Sequence, residues 1–207
     1  MNLILNGKVQ QKTRVGDKMK IIFLDIDGVL NTSQSKSRCG MWLGIDNFRV
    51  RYLKNIIEAS GALIVLTSTW GMKYKVGAYI QDNQVGKYLN NKLRRHGLKI
   101  YDKIDDFIPW NHRGLAIQKW LNAHPDVTDY VILDDEIFKD YFEYNLMPHL
   151  IKTCADCGKY SGLTEDLVMA ATAILNNGAT GPFIDYHIWT DLFSGFAPDK
   201  EDMFKCW

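Results

Sequence analysis

The sequence predicts an α/β domain, a mostly parallel sheet covered by helices on both sides. Two observations carry this reading. Continuous apolar runs rich in Ile, Val and Leu stand at residues 20–24, 62–66 and 130–133, the pattern of strands buried on both faces. Between them lie segments with apolar residues at helical spacing, and strands that alternate with helices pair in parallel. The 207 residues suffice for one domain with a substantial core.

Residues 1–18 are polar, with turn signals at Asn6-Gly7 and Gly16-Asp17. They read as an N-terminal extension, a short hairpin or a loose segment, ahead of a domain expected over 19–180. After the first strand, residues 31–46 hold Ser, Gly and Lys without periodicity, a loop or small flap. Phe48, Tyr52, Leu53, Ile56 and Ile57 then recur at helical spacing, and Ser60-Gly61 ends that helix. The second strand follows at 62–66. Val85, Tyr88, Leu89 and Leu93 mark another helix closed by Gly97, with a short strand over 98–101. From Leu115 to Leu121 a helix turns Ile117, Trp120 and Leu121 inward, and Pro125-Asp126 leads into the third strand. Leu167, Val168, Ala171 and Leu175 share one face of a later helix. The tail, 181–207, is aromatic-rich and expected to pack on the domain.

A net charge of +1 gives no global basic field that would announce nucleic acid. Lys92, Arg94, Arg95, His96 and Lys99 cluster locally, as a solvated helix face or a basic patch. No apolar run approaches the roughly 20 residues of a membrane span, and the N-terminus lacks the order of a signal peptide. Four cysteines are too few and too scattered for a disulfide framework, so a reducing, cytoplasmic location is expected. Cys154 and Cys157 form a single C-x-x-C, best read as a plain loop. Zinc would need about four ligands, with only His149 near and Cys206 joining if the tail folds back. A redox pair would sit at a helix start, which Gly158 opposes.

Each apolar strand ends in polar residues: Asp25-Ile26-Asp27-Gly28 after the first, Thr67-Ser68 after the second, Asp134-Asp135 after the third. In an open α/β sheet, ligands bind in the crevice beyond the carboxyl ends of the strands. The topology therefore gathers four carboxylates and two hydroxyls. Carboxylates so placed repel one another, and a hard cation with oxygen ligands relieves them, Mg²⁺ best because it leaves places for water and phosphate. In an extended strand, side chains two apart share a face, so Asp25 and Asp27 would look into one site, with Gly28 turning the chain out of the strand. One aspartate can then attack phosphorus while the other serves the leaving group. A calcium loop would need a Glu at its twelfth position, where Lys36 stands.

This arrangement resembles the haloacid dehalogenase-like (HAD) superfamily over about residues 20–135. IIFLDIDGVL matches its first motif, IVLTS the second, Arg113 in NHRGLAIQKWL the basic third, and YVILDDE the acidic fourth. More narrowly, LTSTW, RGLAIQKWL, VILDD and HLIKT with GLTEDLV are similar to a HAD branch linked to bacterial and phage RNA-repair proteins. The resemblance implies a Rossmann-like three-layer sandwich and an aspartyl-phosphate mechanism with Mg²⁺. Asp25 would be the nucleophile and Asp27 the general acid and base, with its backbone carbonyl on the metal. Asp134 would ligate Mg²⁺ directly, and Asp135 through water unless it caps the next segment. Thr67 or Ser68 would hold a phosphoryl oxygen, and Arg113 would neutralise charge on the transferring group, with Lys119 or Lys103 as alternatives. The acid at position 27 favours phosphoryl over carbon–halogen chemistry.

About fifteen residues between Asp27 and Thr67 remain for a flap, and about forty-five separate Ser68 from Arg113. The cap is therefore small or absent, and the open site admits a bulky substrate. Trp42 and Trp70 each follow an active-site strand and are candidates for the substrate entrance, whereas Trp120 belongs to a helix's apolar face. Trp110, Trp189 and Trp207 are either core or base-stacking platforms. The expectation is a phosphatase acting on a nucleotide or polynucleotide terminus. A small-metabolite phosphatase and a non-catalytic interaction module are the alternatives.

Overall fold

The computed structural model describes residues 19–78, 80–105, 108–178, 181 and 183–184. The extension at 1–18, the rest of the tail with Trp189, Cys206 and Trp207, and the side chain of Trp110 lie outside the described residues. The strands are β1 (Met19–Leu24), β2 (Arg38–Cys39), β3 (Trp42–Leu43), β4 (Leu63–Leu66), β5 (Ile100–Lys103), β6 (Val127–Asp134), β7 (Leu150–Lys152) and β8 (Phe183–Ile184). The helices are α1 (Asn47–Ser60), α2 (Gln84–Arg94), α3 (Arg113–Ala123), α4 (Lys139–Glu143) and α5 (Glu165–Asn177). The main sheet runs β5-β4-β1-β6-β7-β8 with every described pair parallel.

Strand β1 lies in the middle, and Ile21, Ile22, Phe23 and Leu24 are wholly buried. Because side chains alternate along a strand, they serve two cores. Ile22 and Leu24 join a cluster with Val50, Leu53 and Ile56 of α1, Leu89 and Leu93 of α2, and Ile174 of α5. Ile21 and Phe23 join the opposite cluster, with Ile117 and Trp120 of α3 and Tyr141 of α4. Phe23 there meets the rings of Trp120 and Tyr130 edge-on, at centroid distances of 5.4 and 5.7 Å. The result is three layers. Trp120 is core as expected, and its indole N–H donates to Asp102 at 2.8 Å.

Helix ends follow local chemistry. Gly61 adopts φ +74° and its N–H caps Ile57 O at 2.8 Å, closing α1 where the Ser-Gly signal stood. Asn83 caps α2 through Gly86 N at 2.8 Å. The N-terminus of α3 is capped from a distance: Asp140 of α4 accepts the Leu115 N–H at 3.0 Å.

Some elements lie beyond the sequence reading. Strand β6 begins at Val127 rather than 130, since its first half is only partly buried and reads as polar. Strands β7 and β8 and helix α4 span 3, 2 and 5 residues, too short to display a period. The expected flap is an antiparallel hairpin of β2 and β3, with Met41 93% and Trp42 71% exposed. At the C-x-x-C, the plain-loop reading is corrected: Cys154 and Cys157 are joined in a disulfide, which two thiols three positions apart can close without a framework. Among the described residues, no helix is long and apolar enough to cross a membrane.

Candidate active site

The odd positions of β1 face α3 and α4, and that alternation carries Asp25, the next residue, to the same side. There Arg113, the first residue of α3, places one guanidinium nitrogen 2.9 Å from Asp25 Oδ1 and 2.8 Å from Asp134 Oδ2. Asp25, Asp134 and Arg113 are 5, 0 and 8% exposed, so the network is out of water. The Tyr141 hydroxyl donates to the same Asp134 oxygen at 2.9 Å, and the Glu136 N–H to the other at 3.0 Å. Phe138 lies under the Arg113 guanidinium at 4.6 Å. Arg113 is thus no surface helix residue. Of the alternatives, Lys119 is exposed, and Lys103 donates to Gly71 O at 2.8 Å.

Burial pushes the Asp25 carboxyl well above its ordinary range, and the Asp134 charge adds to this, while Arg113 opposes it. Burial alone would lower the Arg113 pKa, but Asp134 and Asp25 outweigh it and hold the guanidinium charged. Asp135 is pushed up to about 6, by burial first and then by Asp134, with Lys152 opposing. Lys152 donates its ammonium to the backbone carbonyls of Asp135 and, at 2.8 Å, Thr153. It is a second cation at the acidic strand end that the sequence reading did not single out.

Gly28 has φ +70°, and a Cβ there would stand 2.2 Å from the Asp135 carboxyl. Only glycine lets this turn lie against the acidic pair. The Thr153 hydroxyl ties the turn to β7 by donating to Gly28 O at 2.8 Å.

Asp27 departs from the strand-alternation argument. The strand ends at Leu24, and Leu30 N–H bonds Ile26 O at 2.8 Å, so Asp27 sits in a turn. It is exposed, yet near enough to Asp25 for its charge to help raise that carboxyl. Asn31 Nδ2 donates to its Oδ1 at 2.7 Å and Trp70 Nε1 to its Oδ2 at 3.0 Å. Trp70 is only 8% exposed, and its polar atom is spent on Asp27. Of the two tryptophans expected at the entrance, the exposed one is Trp42.

Thr67 and Ser68 close the crevice from β4. Both are buried, and among the described residues neither hydroxyl has a partner. They line, with Arg113, Thr69, Ile104 and Ile108, a cleft of about 30 Å³. Buried hydroxyls without partners imply a ligand or water, and both remain candidates for a phosphoryl oxygen.

Among the described residues, no three His, Cys, Asp or Glu side chains already stand as a ligand cluster. The donor set nevertheless fits a hard divalent cation. All its atoms are oxygens, and Asp25 and Asp135 are raised by burial first and by the neighbouring Asp134 charge second, both of which a cation would offset.

Asn31, Trp70, Tyr141, Phe138, Lys152 and Thr153 escaped the sequence reading of the site, apart from Trp70 as a possible entrance residue. Asn31 and Trp70 each lie within four residues of a motif, a local signal. Tyr141 and Phe138 have none, because only the docking of α4 against α3 brings them in.

A parallel sheet of order β5-β4-β1-β6-β7, with aspartates ending the adjacent strands β1 and β6, is the Rossmann-like core of a HAD-type domain. The profile of the HAD domain in Swiss Army Knife RNA repair proteins matches residues 21–168, and the chain belongs to that family. No curated protein and no solved structure matches the chain.

Proposed function

We propose that the protein is a Mg²⁺-dependent phosphohydrolase that removes a terminal phosphate from a polynucleotide through an aspartyl-phosphate on Asp25. The observation that supports this best is the bridge from Arg113 to both Asp25 and Asp134, beside the two unpartnered hydroxyls of Thr67 and Ser68. A carboxylate held between a cation and an anion hole is arranged for attack on phosphorus. The RNA-repair family and the small flap support a polynucleotide end as substrate.

In the first half-reaction an Asp25 oxygen forms a bond to phosphorus as the bond to the leaving oxygen breaks, and that oxygen takes a proton from Asp27. In the second, Asp27 accepts a proton from water as the water oxygen attacks phosphorus, releasing phosphate and restoring the Asp25 carboxylate. Arg113 opposes the burial that raises Asp25, orients its carboxyl and meets the charge on the equatorial oxygens, where phosphoryl transfer is mostly catalysed. Thr67 or Ser68 donates to one of those oxygens. Asp25, Asp134, Asp135 and the backbone carbonyl of Asp27 would hold Mg²⁺, which would supply charge neutralisation between the carboxylates and the phosphoryl group.

The test is turnover of 5′- and 3′-phosphorylated oligonucleotides, mononucleotides and p-nitrophenyl phosphate, with Mg²⁺ and with chelator. Oligonucleotide ends are expected to react best, and Asp25→Asn to lose roughly 10⁴-fold or more of kcat. Wild-type turnover in Asp25→Asn would refute the mechanism. Mononucleotides reacting as well as oligonucleotides would refute the end-processing assignment.

A further inference from the structure

We infer that Trp70 and Asn31 are positioning residues that clamp Asp27 for proton transfer to the leaving group; this rests on the phosphohydrolase reading above. Asp27 is exposed in the turn two residues after Asp25 and near enough to act on its charge, and an exposed carboxylate ordinarily samples several rotamers. Here each of its oxygens accepts one N–H, from Asn31 Nδ2 at 2.7 Å and from Trp70 Nε1 at 3.0 Å. Both donors belong to buried side chains, Asn31 at 1% and Trp70 at 8% exposure.

Neither donor is itself loose. The Asn31 carbonyl oxygen accepts the Gly28 N–H at 3.1 Å, which fixes the amide's orientation and ties it to the turn carrying Asp27. The Trp70 indole packs in the core cluster of α1, α2 and α5, against the Tyr88 ring at a centroid distance of 6.2 Å. The rigid interior thus reaches out to hold a group that water would leave free.

The chemistry of the donors suits this task. An indole N–H is donor only, and a side-chain amide N–H does not trade protons with a carboxylic acid at ordinary pH. Both orient Asp27 without competing for the proton it must deliver. One hydrogen bond per oxygen also leaves a lone pair on each for the transfer. Small misplacements of a reacting group cost large factors in rate, and general acid catalysis typically contributes 10²–10⁴-fold.

The leaving group supplies the test. Departure of an alkoxide requires the proton, whereas 4-nitrophenolate departs without it. Trp70→Phe keeps the ring in the core and removes the donor, and Asn31→Ala removes the other, so one folded variant suffices, folding being judged by circular dichroism and thermal melting. kcat/KM, which covers the steps through leaving-group departure, is measured with the 5′- or 3′-phosphorylated oligonucleotide that the wild type hydrolyses faster, as the alkyl ester, and with p-nitrophenyl phosphate. The expected result is a loss of about 10-fold or more for the alkyl ester and less than about 3-fold for the aryl ester. A purely structural role would lower both equally. Equal losses, or none, would overturn the clamp and leave the phosphohydrolase reading standing. A wild-type protein that hydrolyses neither ester overturns that reading and the clamp with it.

Discussion

The two aspartates of the Asp25-Ile26-Asp27 triplet stand two positions apart and live in opposite environments. Asp25 is buried on the α3 and α4 side, within a network of the Arg113 and Asp134 charges, the latter also held by the Tyr141 hydroxyl. Asp27 is exposed in the turn after β1, held by two neutral N–H donors. Inside the protein the attraction between charges is strong, but so is the penalty for leaving one unpaired. In the exposed turn, water screens charge, and what the structure can supply is orientation. Stability should therefore depend on the partners of Asp25, and proton transfer on those of Asp27.

The strongest way to break this comparison is Arg113→Met, which leaves two buried carboxylates facing each other. We expect a loss of about 3–5 kcal/mol in urea unfolding with cations chelated, and Mg²⁺ should recover part of it. A loss under about 1 kcal/mol would show that the Asp25 half is not held by charge.

Tyr141→Phe removes one hydrogen bond to Asp134 and should cost about 1.5–3 kcal/mol by the same measurement. Trp70→Phe, on the Asp27 side, should change stability less than Tyr141→Phe although it removes an equally direct hydrogen bond. The reverse order would dissolve the distinction.

The smallest expected effect is in pH. The Asp135 carboxyl, at about 6 in the folded protein, lies above its ordinary value of 3.8. The folded state therefore binds more protons than the unfolded state between those values, and stability falls as pH rises through that window. With cations chelated, the melting temperature should decline from pH 4 to 6, and Asp135→Asn should flatten the decline. A melting temperature that rises across this window in the wild type, and equally in the variant, would contradict the crowding of carboxylates at the acidic strand end.

Much of the site was legible because its chemistry lies next to strong strands. The runs at 20–24, 62–66 and 130–133 fixed three central strands, and so where Asp25, Thr67, Ser68, Asp134 and Asp135 would gather. Arg113 was legible as the opening of a helix with a clear apolar face. Asp27 was placed by strand alternation, yet the strand ends at Leu24 and Asp27 stands in the turn that follows, where Asn31 and Trp70 rather than the pleat hold it. Disulfide closure at Cys154 and Cys157 was not anticipated, because a short spacing permits a bond without announcing one.

By itself the sequence determined the central strands of the sheet, the order of its motifs and the residue types at each strand end, since burial on both faces and the residues that stop a strand are local properties. Only the tertiary structure decided who holds whom. Arg113 spans Asp25 and Asp134 because α3 docks over β1, Tyr141 reaches Asp134 because α4 packs beside α3, and Trp70, packed against Tyr88 of α2, reaches Asp27 in the turn after β1. The Trp70–Asp27 and Arg113–Asp25 contacts join residues 43 and 88 positions apart. A hydrogen bond is set by angle and distance in three dimensions, and no local pattern in a chain encodes that.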